Sequence, residues 1–277
     1  MSGVDRRRVV RVEDGLAVSP RGDHIAVEEP LEILVDGVVV STTMRTPGHD
    51  VELALGWCVS EGIISGIEDL STAKSCFTKS LSLEELVDED DDVKRIVEVV
   101  THHRRPVTPR LHNTSSACGI CGSDVIESTL ALRPSPAADA DLRFAPSVIV
   151  SMPDAMRQAQ RHFDSSGGVH AAALIEPDGN VICVREDVGR HNAVDKVIGW
   201  ALQNRGLPLT DVGLQVSGRA SAELVHKAIM AGIPLLSAVS APTTLAVDLA
   251  REGQLTLVGF VRGDSFNIYA TEHRILD

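Results

Sequence analysis

Apolar β-branched runs and apolar residues at helical spacing divide the chain into two differently organised halves. In the first half, Leu31 to Val35 and Val38 to Ser41 are apolar runs separated by Asp36-Gly37. That dipeptide predicts a hairpin, because both of its turn positions favour positive φ. A helix is expected from Asp50, as N-cap, to about Ser60, with Val51, Ala54, Leu55, Cys58 and Val59 on its apolar face and Gly62 ending it. Val93 to Val100 reads as a strand. The acidic run Asp88, Glu89, Asp90, Asp91 and Asp92 before it reads as a solvated turn, and His102 to Pro109 reads as a connector. From Arg110 to about Pro146 the periodicity fades, which predicts a long loop or linker.

The second half is more regular. Ser151 and Asp154 have capping-box spacing ahead of a helical face made by Met152, Ala155, Met156, Ala159 and Phe163. Strands are expected at Ala171 to Ile175 and Val181 to Arg185, joined through Pro177-Asp178-Gly179-Asn180. Helix Ala193 to Leu202, strand Val212 to Val216, helix Ala222 to Ala231, strand Leu235 to Val239 and helix Leu245 to Arg251 follow. The pair Leu255 to Val261 and Phe266 to Ala270 closes the chain through Arg262-Gly263-Asp264-Ser265. Strands alternating with helices of this length predict an α/β fold, a three-layer mixed sheet covered on both faces, beside a smaller N-terminal α+β domain. The division is drawn at 1–110, a linker at 111–146, and 147–277.

In such a sheet, ligands bind where strands end and helices begin. Three loops have that placement: Arg185 to Asn192, Ser217-Gly218-Arg219-Ala220-Ser221, and Ser240-Ala241-Pro242-Thr243-Thr244. Each joins small residues to hydroxyls near a helix start, an arrangement suited to phosphate. Arg185, Arg190, Arg219 and Arg262 add forked cations, while His191 reads as a phosphate donor, an acid or a packing residue. His170, alone at a strand start, reads as a structural hydrogen-bonding group. The competing reading makes the small residues helix caps and the arginines surface ion pairs.

The net charge of −13 sharpens this picture. It argues against general binding to nucleic acid or a membrane surface, so an anionic ligand requires a local cluster of cations. No apolar run reaches the roughly 20 residues that cross a bilayer, and Arg6, Arg7 and Arg8 are not followed by a signal-peptide core. The chain reads as cytoplasmic. Hydrophobic content of 43% makes it globular.

Five cysteines without framework spacing fit a reducing compartment. Cys118 and Cys121 form a Cys-x-x-Cys pair among Gly119, Gly122 and flanking serines, with Asp124 and Glu127 marking a helix start just beyond. That context favours an accessible thiolate. A zinc half-site is the alternative, with His102, His103 and His112 as nearby ligands. Cys58, Cys76 and Cys183 read as inert residues in packed elements.

The run from Arg185 through Asp187, Val188, Gly189, Arg190, His191 and Asn192 to Lys196 resembles the signature of the formate dehydrogenase accessory sulfurtransferases, the FdhD/NarQ family. So do the Cys118/Cys121 pair, Ser217 to Ser221, Ala238 to Thr243, and Leu257 to Arg262. The resemblance implies a homodimeric sulfurtransferase that takes persulfide sulfur from a cysteine desulfurase. It would deliver that sulfur to the molybdenum (or tungsten) bis(molybdopterin guanine dinucleotide) cofactor, for a formate dehydrogenase. It also implies a larger domain like that of the cytidine deaminases, with Cys118 as the persulfide carrier and Cys121 as its partner thiol. Phe260, Val261, Arg262, Gly263, Asp264 and Ser265 would form the cofactor-binding stretch, to which the residue reading adds Arg190, His191, Ser217 and Arg219 as holders of the guanine nucleotide. Other readings are a noncatalytic cofactor chaperone with structural zinc and a zinc-dependent deaminase. The deaminase lacks its His-x-Glu or Cys-x-Glu motif upstream of the pair, and Ala117 stands where proline would precede Cys118. A thioredoxin-like oxidoreductase fits less well, because this pair lies between the two halves.

Overall fold

The computed structural model describes residues 3–17, 20–79, 93–103, 138 and 140–275. The acidic run, His112, Cys118, Cys121 and the helix start expected at Asp124 lie outside the described residues. The described chain opens with two antiparallel ribbons. In one, β1 (Val4–Val9) pairs with β4 (Arg21–Ala26); in the other, β2 (Val12–Glu13) pairs with β3 (Leu16–Ala17). Asp14 and Gly15 turn the inner ribbon with φ of 49° and 81°. The expected turn at Asp36-Gly37 has the same geometry, with φ of 51° and 84°, between β5 (Glu29–Val35) and β6 (Val38–Arg45).

Helix α1 (Asp50–Ser60) follows, and β7 (Leu70–Lys79) with β8 (Val93–Thr101) completes a four-stranded sheet of order β6-β5-β8-β7. Asp50 does not cap its helix as expected. Its buried carboxylate accepts from Arg45 Nη2 at 3.2 Å and Arg95 Nη1 at 3.0 Å, and His49 stands at the cap position, its side chain 3.1 Å from Glu52 Oε2 rather than on a helix amide. Two arginines brought in from separate strands outcompete the local amide.

The second half contains α2 (Pro146–Gln158), α3 (Arg161–Ser166), β9 (His170–Ile175), β10 (Val181–Asp187), α4 (Arg190–Asn204), β11 (Gly213–Val216), α5 (Ala222–Met230), β12 (Leu235–Ala238), α6 (Thr244–Glu252), β13 (Thr256–Arg262) and β14 (Ser265–Ala270). The six strands form a mixed sheet of order β10-β9-β11-β12-β13-β14, in which only β11/β12 and β12/β13 are parallel. Alternation along the strands sends Ala171, Ala173 and Ile175 towards α2, while Ala172 and Leu174 join the core shared with α1, α4, α5 and α6. The capping box expected at Ser151 is overridden, because α2 already begins at Pro146, whose fixed φ suits the first helical position. Ser151 Oγ bonds instead to the Val148 carbonyl at 2.9 Å.

One core runs through both halves, from Ile33 and Val97 to Leu214 and Leu257. Its centre is the crossing of α1 and α4. A Cβ at Gly56 would stand 1.8 Å from the Asp195 carbonyl oxygen, and one at Gly199 would stand 1.8 Å from that of Glu52. Main chain therefore meets main chain at this crossing, a separation only glycine permits. Cys58 and Cys183 are buried beside it, as expected, and burial pushes the Cys183 thiol up to about 12. Cys76 differs from the expectation. It lies on β7, an edge strand, where Lys74, Ser75 and Cys76 are all exposed. Among the described residues, no helix is long and apolar enough to cross a membrane.

Candidate functional site

Because β9 runs antiparallel to both β10 and β11, those two strands point the same way, and β12 and β13 follow β11 in parallel. The carboxyl ends of β10, β11, β12 and β13 therefore share one edge with the start of β9. All the loops singled out by their composition meet there. Ala220 bridges to Pro242, Thr243 N–H donates to the Ala220 carbonyl at 3.0 Å, and Phe260 N–H donates to the Ser240 carbonyl at 3.2 Å.

The run Arg185 to Lys196 divides into two sets. Helix α4 begins at Arg190 rather than Ala193, so Arg190 and His191 occupy its first turn instead of a free loop. The other polar members of the run face inward. Arg185, expected to face an anion, is tied through Nε and Nη2 to both oxygens of Glu52. Glu186 accepts from the amides of His162 and Phe163 at the start of α3. Fully buried Asp187 accepts from Lys196 Nζ at 2.7 Å, from the Thr46 amide at 3.1 Å, and from Gly189 and Asn192. Asn192 also donates to the Met44 carbonyl at 2.8 Å. These bonds clamp β6 to α4.

At the edge itself, the Arg190 Nε is buried and has no hydrogen-bond partner among the described residues. A methyl added to Gly218 would rest 3.5 Å from the His170 ring and 3.8 Å from Arg190 Cδ, so the three residues adjoin. Ser217 Oγ accepts the Ala171 amide at 2.9 Å and lies 3.2 Å from His170 Nδ1, giving His170 the structural bond expected of it. Burial, reinforced by Arg190 and His191, lowers the His170 pKa and favours the neutral ring. His191 Nε2 lies 2.9 Å from Glu223 Oε2 and 3.5 Å from Ser221 Oγ. Thr243 Oγ1 caps α6 by accepting the Ala246 amide, so that hydroxyl serves the helix.

Arg219 is exposed on its loop, and Arg262 is exposed with its guanidinium 5.4 Å from the Phe260 ring centroid. Phe260 adopts φ of 54° at a bulge that turns β13 towards Gly263, whose φ is 61°. Asp264 and Ser265 are exposed at this hairpin. Val261 departs from its expected place in the binding stretch, because its side chain is fully buried under the sheet and only its main chain is available to a ligand. The edge thus gathers Arg190, His191, Ser217, Arg219, Phe260 and Arg262, while Cys118 and Cys121 lie outside the described residues.

Glu223 escaped the sequence reading. Its signal was a polar series, Glu223, His226 and Lys227, in a helix whose apolar residues already accounted for burial. Lys227 Nζ bonds both oxygens of buried Asp195 at 2.8 Å, and His226 Nε2 meets the Ser60 carbonyl at 2.8 Å. His102 and His103 fall in the bend after β8, and among the described residues no group of three or more potential ligands could hold a metal ion.

Residues 26–276 match the FdhD/NarQ family. The chain belongs to that family. It is 48% identical over 276 residues to the sulfur carrier protein FdhD of Streptomyces coelicolor, covering 98% of this chain and 95% of the relative. It is also 48% identical to the Mycolicibacterium paratuberculosis protein of the same name, covering 99% and 100% of the two chains. The FdhD/NarQ architecture recurs in a Desulfotalea psychrophila crystal structure described as a formate dehydrogenase accessory protein, with a TM-score of 0.75, 22% identity, and coverage of 99% and 100%.

Proposed function

We propose that this chain is a cytoplasmic, homodimeric sulfurtransferase that carries persulfide sulfur from a cysteine desulfurase to a bis(molybdopterin guanine dinucleotide) cofactor, in the service of a formate dehydrogenase. Its full-length relatives are named as sulfur carriers. The observation that carries the cofactor side of this reading is the sheet edge: a protein of net charge −13 gathers Arg190, Arg219 and Arg262 there, and leaves a buried Arg190 Nε with no partner among the described residues. An unpaired buried donor on a cation is costly unless a ligand satisfies it, and guanine-nucleotide phosphates would do so. On the same edge, the Phe260–Ser265 stretch, exposed from Arg262 to Ser265, would supply a second wall. The mixed sheet with helices on both faces is compatible with a cytidine-deaminase-like 147–277 domain beside the smaller 1–110 domain.

Cys118 is the carrier thiol in this reading. Its thiolate attacks the sulfane sulfur of the donor persulfide. The donor S–S bond breaks as the new S–S bond forms, and the desulfurase cysteine leaves as a thiolate. Intact-mass measurement after incubation with a desulfurase and cysteine tests this directly. One added sulfur is expected on the wild type, and none on Cys118→Ala. An adduct that persists in Cys118→Ala and disappears in Cys121→Ala would transfer the carrier role to Cys121. No adduct on the wild type would leave the cofactor-chaperone reading in its place.

A further inference from the structure

Glu223 is the second residue of α5, where a carboxylate ordinarily supports the helix start. Here it turns across to α4 instead, and its Oε2 lies 2.9 Å from His191 Nε2. Its side chain is only 21% exposed. Burial works against its charge, but the His191 hydrogen bond, with Lys227 and Arg190 nearby, draws the carboxyl down to about 2. An anionic group is therefore fixed within the cation-lined edge. It would repel a bare phosphate, so it calls for a ligand that also brings hydrogen-bond donors. His191 is the only described residue that donates to it, and it does so at one lone pair of Oε2, which leaves Oε1 and the other lone pair of Oε2 as acceptors. Ionised carboxylates accept only, and they accept best from two adjacent N–H groups. Guanine presents that pair in its N1–H and 2-amino group. Adenine does not.

We propose that Glu223 reads the guanine base, accepting from N1–H and the 2-amino group of the nucleotide while the arginines hold its phosphates. This rests on the reading of the edge as a guanine-nucleotide site. His191 is then a positioning residue, because its ring fixes one carboxylate oxygen and so sets the direction of the other.

Calorimetric titration of the full chain with GDP, IDP and ADP tests the assignment. IDP lacks only the 2-amino group, so the wild type should bind GDP at least about tenfold more tightly than IDP, and ADP more weakly still. Glu223→Gln exchanges one acceptor oxygen for a donor and should bring GDP and IDP to within about threefold of one another. A wild type that binds GDP and IDP equally would overturn the proposal whether or not the variant folds. A folded Glu223→Gln protein that keeps the full GDP preference would overturn it as well. If the wild type binds none of the three nucleotides, the nucleotide reading of the edge itself fails and this assignment falls with it.

Discussion

Helix α4 has two polar ends of one motif that behave in opposite ways. Asn192, Asp195 and Lys196 turn inward, each held by partners from α1, α5, β10 or the end of β6 and Thr46 just beyond it. Arg190 and His191, in the first turn of the same helix, face the sheet edge, where one has a nitrogen with no partner among the described residues and the other leans on Glu223. The inward set pins two sheets together, and the edge set is left with capacity for a ligand. Charge in a sequence motif is therefore no guide to function until its partners are counted.

The largest expected effect comes from breaking the inward set. Lys196→Ala would strand the fully buried Asp187 carboxylate and should cost about 3–5 kcal/mol in denaturant unfolding, yet the protein that remains folded should bind GDP as the wild type does. A near-neutral stability change, or loss of GDP binding by folded protein, would erase the distinction between the two sets. The converse experiment is smaller in energy. Arg219→Ala should weaken GDP binding about tenfold, through loss of a charge-assisted contact, and leave the melting temperature unchanged. A melting temperature that falls with the affinity would place Arg219 among the structural residues.

The finest test is a titration. His170 should titrate below its ordinary value of 6.5 when followed by NMR, because the fold holds it neutral. The unfolded chain then binds more protons than the native one as pH falls below 6.5, so His170 draws stability down on the acid side and contributes no penalty above it. His170→Asn should flatten that part of the stability curve. A ring that titrates at or above 6.5 would contradict the half-buried, cation-flanked environment.

The regular elements were legible because their signals are local. Gly179 and the Asp36-Gly37 turn adopt the positive φ their composition foretold, and the strand order of the second half follows from its periodicity, but the helical face drawn through Phe163 breaks after Gln158 and Phe163 belongs to the separate helix α3. The Asp14-Gly15 turn carried the same signal as Asp36-Gly37, but the exposed, two-residue strands beside it offered no apolar alternation to support a ribbon. What the sequence hid was long-range competition. Asp50 looks like a cap until Arg45 and Arg95 arrive, and Arg185 looks like an anion ligand until Glu52 claims it. The cation edge was legible in outline from its loops, whereas the polar series holding Glu223 marks the residue but not its contact with His191 on another helix. Val261, in the binding stretch that the resemblance implies, has its side chain in the core.

The glycine contact between α1 and α4 has a mechanical consequence. Side-chain interfaces can slide by exchanging rotamers, but two backbones in direct contact have no rotamers to exchange. With Gly56 against the Asp195 carbonyl and Gly199 against that of Glu52, α1 and α4 have no side chains at the crossing to repack, and any larger residue at either glycine must push the two helices apart.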